Sequence, residues 1–236
     1  MDLLSKHKQT NTYCNRIITS SYLQDVSKKT TSVTMYPTLI HLFLSRFDPH
    51  CELVENKDKQ MYIKQLTVDI ATKIDEDKVN CFDKYRYNKK MNTTLIQQGL
   101  QSMNSLSALL YLSDYYNVTT HLFIEASKKK IVSSQKEREP WNIMYANNKW
   151  FELENDSLPE DYSDGSHSDI GVCLTLDVKT LDVYQKYLEA IGKYKSDQLT
   201  EIAKKLGIPL ECNGKKKVKK VLYDEINVYQ LNHPTS

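Results

Sequence analysis

The chain has 236 residues and a mass of 27.5 kDa, of which 40% are hydrophobic, enough for one sizeable core and a small appendage. Its net charge of +2 hides an uneven distribution, because nine Lys and five acids fall in residues 193–236 and leave the remainder slightly acidic. The cysteines (Cys14, Cys51, Cys81, Cys173, Cys212) are odd in number, widely spaced and without a C-x-x-C pair. This argues against a disulfide framework or structural zinc, while the lack of a leader-like or ~18-residue apolar run predicts a soluble, intracellularly made protein.

Residues 1–30 are polar with scattered apolar positions such as Ile17, Ile18, Tyr22 and Leu23, the pattern of a docking arm. A helix is predicted from Pro37, which suits a first turn, through Leu39, Ile40, Leu42, Phe43 and Leu44; a run this apolar is expected to be buried on most sides. Residues 60–74 place Ile63, Leu66, Ile70 and Ile74 on one helical face. A further helix starts near Asn104, carries Leu106, Leu109, Leu110 and Tyr116, and stops at Asn117. The period then changes to that of strands, over residues 118–125, 141–146 and 149–154, with Asn147-Asn148 as a hairpin turn. Helices followed by antiparallel strands indicate an α+β domain.

Residues 152–169 hold Glu152, Glu154, Asp156, Glu160, Asp161, Asp164 and Asp169 without a Lys or Arg, and read as a solvated linker; folding back onto the lysines of the tail is the sharper alternative. A short strand over 170–176 and a helix over 180–192, with Leu181, Tyr184, Leu188 and Ile191 inward, lead into the tail. There, Leu199, Ile202, Ala203 and Leu206 recur at i, i+3, i+4 and i+7, with Ser196 as a cap and Gly207 as a stop. Val218, Val221, Leu222 and Ile226 form a second stripe. Two such stripes can bury each other and leave Lys204, Lys205, Lys215, Lys216, Lys217, Lys219 and Lys220 in solvent.

Other chemistry is sparse. No phosphate-binding glycine loop, dinucleotide fingerprint, H-E-x-x-H or EF-hand loop occurs, and no cofactor or metal site is predicted. His50-Cys51 with His121 is the best available nucleophile pair, and Cys14 a further thiol, but neither has a local catalytic signature. Trp141, Tyr145, Trp150 and Phe151 would make either a base-stacking platform or, by alternation in a hairpin, the inward face of a sheet.

The tail Leu199-Thr-Glu-Ile202-Ala203-Lys-Lys-Leu206-Gly207-Ile208, continued by Lys215 to Ile226, resembles SAP-like helix–extended-loop–helix modules. That resemblance implies binding of DNA, or of a protein, through the basic second helix and loop. With the pieces from Leu106 to Phe123, Asn147 to Leu153 and Ala190 to Ile226, the chain also resembles conserved proteins of nucleocytoplasmic large DNA viruses, which implies a place in the virion. The helix–strand–hairpin unit is similar to the second half of papain-like OTU folds, where an Asn-His-aromatic step supplies the catalytic histidine; here Lys149 follows Asn148 in that place, and Val33-Thr34-Met35-Tyr36-Pro37-Thr38, at the early buried helix, has no cysteine.

The expectation is therefore an α+β chain with a helical N-terminal half and a small antiparallel sheet, followed by a small all-helical C-terminal module. Its parts are an arm (1–30), a domain (31–154), an acidic linker with a short strand (155–178) and the helical module (179–236). The expected function is that of a non-enzymatic, minor-capsid-type virion protein, made in the host cytoplasm, whose partners are other virion or capsid proteins. Non-specific nucleic-acid binding through the module is the alternative, and a papain-like cysteine hydrolase the third.

Overall fold

A computed structural model describes residues 34–76 and 84–234; the expected arm at 1–30, Cys14 and Cys81 lie outside them. Helix α1 (Leu39–Phe47) begins at Thr38, whose hydroxyl accepts the His41 N–H, so Pro37 precedes the cap and does not occupy the first turn. Leu39, Ile40, Leu42, Phe43 and Leu44 are all buried. Helix α2 (Asn56–Glu76) buries Ile63, Ile70 and Ile74, the predicted face. Helix α3 (Thr93–Ser102), capped by Asn92, is not anticipated by the sequence pattern. Helix α4 (Leu106–Tyr115) starts at Ser105 and ends where Asn117 adopts a left-handed backbone.

The sheet corrects the expected architecture. It follows α4, lies in the C-terminal half, and is mixed, with order β4-β3-β1-β2-β5. Strand β1 (Val118–Ile124) turns back antiparallel into β2 (Lys129–Val132) on one side. Residues 133–138 then return the chain to its starting end, so β3 (Glu139–Ala146) runs parallel to β1 on the other side. Strand β4 (Lys149–Glu152) closes the predicted hairpin across Asn147 and Asn148, both at positive φ as a two-residue type I′ turn requires. Alternation in the sequence specifies the faces of each strand but not its neighbour, and a return loop long enough to cross the sheet makes β1 and β3 parallel.

The acidic stretch packs against the domain. Leu158 and Tyr162 cover a second apolar face of the sheet made by Phe123, Met144, Ala146, Phe151 and Leu153. Asp161 pairs with Lys128 at 3.6 Å, and β5 (Ser163–Asp164) adds to β2. The expected strand over 170–176 is instead the 3₁₀ segment His167–Val172; Ile170 within it, and Leu174 and Val178 beyond it, enter the main core. Residues 180–190, expected as a helix, run without helical hydrogen bonding; Val183 and Tyr184 join the main core, and Tyr184 bridges Tyr87.

The C-terminal module has its own core of Leu199, Ala203, Leu222, Tyr223 and Ile226, with Leu188, Ile191, Ile202, Leu206 and Ile208 packed around it. It is not all-helical. Between α5 (Ser196–Lys205) and α6 (Lys219–Asn232), β6 (Glu211–Cys212) and β7 (Lys215–Lys216) pair across Asn213 and Gly214, with φ of 51° and 72°. An Asn-Gly pair turns the chain with the right-handed twist that a hairpin needs, so the loop closes as a ribbon.

Candidate basic docking surface

Helix α5 is capped by the Lys195 N–H donating to Gln198 Oε1 (2.7 Å), so Ser196 falls one position inside the helix. It ends as predicted at Gly207, φ 72°, where the Ile208 N–H reaches back to the Ala203 carbonyl at 2.9 Å and the Gly207 N–H to the Lys204 carbonyl at 3.1 Å. This closure leaves Lys204 and Lys205 exposed in the last turn, where cations complement the helix dipole.

Helix α6 is oriented by a different residue set than the apolar spacing suggests. Leu222, Tyr223, Ile226 and Asn227 are buried, whereas Val218 is 65% and Val221 40% exposed. The predicted stripe over-counts the first turn, because the ribbon lifts residue 218 away from α5: the Lys217 N–H bonds the Leu210 carbonyl (2.9 Å). Among the seven predicted lysines, Lys204, Lys205, Lys215, Lys216 and Lys220 are exposed and Lys219 is half-buried. Lys217 is withdrawn from the set: its side chain is 9% exposed and its Nζ lies 2.8 Å from Glu225 Oε2.

The start of α6 concentrates positive character. Its N-cap, Val218, offers no side-chain acceptor, and the first turn contains two lysines and no acid. The backbone N–H groups of that turn have no carbonyl one turn back, and the helix dipole makes them the positive end. Lysines there oppose helix stability, and an anion would relieve both the charge and the unsatisfied donors. The expected acidic competitor is elsewhere, on the sheet.

The other candidates are not assembled into sites. Cys51 is fully buried, with Sγ 3.7 Å from Ser45 Oγ, whereas the neighbouring His50 turns outward to Asp48 and His121 sits on β1 opposite Val132 and Asn142. Burial lowers the proton affinity of His121, with the Lys130 charge acting in the same direction. Cys173 is buried and its thiol is pushed up to about 12 by desolvation, so it is not a nucleophile at neutral pH. Trp141, Trp150 and Phe151 are core residues, with Trp141 edge-on to Phe43 at 4.6 Å, and form no stacking platform. Tyr36 pairs with Trp150 and sets the start of α1 beside the β3–β4 hairpin that carries Lys149. The free N–H of Leu39 there is taken by Asn104 Oδ1 (2.8 Å). Among the described residues no group of His, Cys, Asp and Glu is placed to hold a metal ion, and no helix is long and apolar enough to cross a membrane.

No known protein family, curated protein or solved structure matches this chain.

Proposed function

We propose that the chain is a non-catalytic, virion-associated docking protein of a large DNA virus that holds nucleic acid through its C-terminal module. The carrying observation is the uncapped, lysine-bearing N-terminus of α6 beside the lysine-bearing ribbon, an arrangement unfavourable to the fold and favourable to phosphate. A flexible set of surface lysines would give weak attraction, whereas these are mounted on a module with its own core. Such a surface binds through counterion release, with strong salt dependence and no base readout. The viral setting rests on the resemblance of the tail and of the helix–strand unit described above.

The test is a salt titration of binding to random duplex DNA with the full-length protein and its Lys215→Ala/Lys216→Ala variant. The logarithm of affinity should fall linearly with log salt, and the variant should lower the slope by roughly two, since each lysine removed leaves one phosphate un-neutralised. Salt-insensitive binding, or none at low ionic strength, rejects the nucleic-acid reading.

A second reading is attachment to an acidic face of a capsid subunit. It is favoured by Val218 and Val221, whose exposed side chains within the lysine cluster resemble the apolar centre of a protein interface with a polar rim. Val221→Ala would weaken particle association under that reading and leave duplex affinity unchanged.

A further inference from the structure

One side of α2 is uncovered among the described residues. The core takes Ile63, Thr67, Ile70 and Ile74, which recur at i, i+4, i+7 and i+11. At about 3.6 residues per turn, Met61, Gln65, Val68 and Thr72 repeat the same spacing on the opposite side of the helix. All four are exposed, Met61 at 70% and Val68 at 53%. Charged residues are the ordinary choice for the solvent side of a helix, and this stripe contains none.

The two polar members of the stripe are tied to their own helix. The Gln65 amide donates to Asp69 Oδ1 (2.9 Å) and the Thr72 hydroxyl to the Val68 carbonyl (2.9 Å), so covering the stripe leaves these donors paired. Charges flank it by sign, with Lys57 and Lys64 on one side and Asp58 and Asp69 on the other, all exposed. This segregation makes the surface complementary to itself in one orientation. When two copies of α2 lie side by side and parallel, the lysine flank of each meets the acidic flank of the other, and Lys64 faces Asp69 of the second copy. Antiparallel pairing sets lysine flank against lysine flank. Because the stripe lies opposite the buried face, a two-fold axis running along it places the two cores on opposite sides.

We propose that this face of α2 joins two copies of the chain as a parallel two-fold pair, with Met61 and Val68 in the seam and Lys64–Asp69 pairs at its edges. The spacing of Met61, Gln65, Val68 and Thr72 is that of alternating d and a positions of a heptad, through which two helices interlock. A second copy fits better than a foreign helix, because the charges that would select the partner are already present on the flanks of the stripe. About three turns of contact bury less than the ~1,000 Å² of a stable interface, so the pair is weak and forms reversibly. The inference is independent of the nucleic-acid reading of the basic module.

Sedimentation equilibrium of the full-length protein tests this. The mass should rise from 27.5 kDa toward twice that value as the concentration is raised to about 500 µM. Met61→Lys/Val68→Lys, at two exposed positions, should hold the protein monomeric with an unchanged thermal midpoint. Lys64→Glu should weaken association by roughly tenfold, and Lys64→Glu/Asp69→Lys should restore it, a recovery that a folding defect does not produce. A monomer at every concentration overturns the proposal, including the outcome in which another protein or another segment of this chain covers the stripe. A dimer that survives Met61→Lys/Val68→Lys is formed elsewhere and overturns it equally. Association that Lys64→Glu leaves unchanged, or that the charge swap fails to restore, overturns the parallel arrangement.

Discussion

Asp114 shows what single residues contribute. It lies at the end of α4 with its side chain fully buried. One carboxylate oxygen accepts from Lys136 Nζ (2.9 Å) and from the Arg138 guanidinium; the other accepts from the hydroxyls of Tyr87 and Tyr184. Lys136 also lies over the Tyr184 ring at 4.1 Å, and burial lowers its proton affinity against the opposing pull of Asp114. Removing the carboxylate charge leaves two buried cations without their counter-ion, so Asp114→Asn should destabilise the protein by about 3–5 kcal/mol in urea unfolding. Tyr184→Phe deletes one donor to the buried carboxylate and leaves the charge itself paired, so it should cost less, about 1.5–3 kcal/mol by the same measurement. Histidines set the response to acid. His41 and His121 both have proton affinities lowered by burial, so below their ordinary value of 6.5 the unfolded chain takes up protons before the folded one does. Stability should therefore fall as pH drops through 6.5, until the folded histidines also protonate, and His121→Asn should flatten a plot of the urea midpoint against pH. In the sequence these residues carry little signal: Asp114 is one acid in an apolar helix, and its partners are at positions 87, 136, 138 and 184.

At the scale of elements, end signals are more legible than element neighbours. Asn117, the Asn147-Asn148 turn and Gly207 mark chain reversals because each takes a backbone conformation that few other residues tolerate. Asn213-Gly214 is an equally strong hairpin signal, masked in the sequence by the lysine-rich helical pattern around it. Helix α3 escapes the periodicity because TTLIQQGLQS has only Leu95, Ile96 and Leu100 to mark a face and contains a glycine. That glycine is the contact point of the helix pair. A Cβ at Gly99 would run into Ser107 Oγ and stand 2.5 Å from Ser105 Oγ, and those hydroxyls are engaged with Asp177 and with the start of α4. Gly99→Ala should thus cost about 1–3 kcal/mol by overpacking, despite the better helix propensity of alanine, as measured by the thermal midpoint.

For the whole molecule, the position of the basic module follows from two asparagines on α6. Asn227 Oδ1 accepts the Tyr187 and Leu188 N–H groups (2.8 and 3.0 Å). Asn232 spans the backbone on both sides of Lys136, accepting from Glu137 N–H (2.8 Å) and donating to the Gln135 carbonyl (3.2 Å). The clamp therefore joins α6 to the loop that supplies Lys136 to Asp114. Asn232→Ala should speed hydrogen exchange in residues 135–137 while sparing the core of the module, because it releases one attachment between the two units. Accessibility differs among the thiols as well. Native-state alkylation followed by peptide mass spectrometry should modify Cys212, exposed on the ribbon, well before the buried Cys51 and Cys173. The amino-acid sequence by itself determined the apolar faces of α1, α2 and α5, the ends of α4 and α5 and the location of the lysines, since these depend on periodicity and on backbone preferences within a few residues. Tertiary structure decided the mixed order of the sheet, the packing of the acidic stretch on its second face, the withdrawal of Lys217 and the exposure of Val218. Each of these depends on which distant segment is the neighbour, and that is settled by the total burial of apolar surface and pairing of polar groups, not by local spacing.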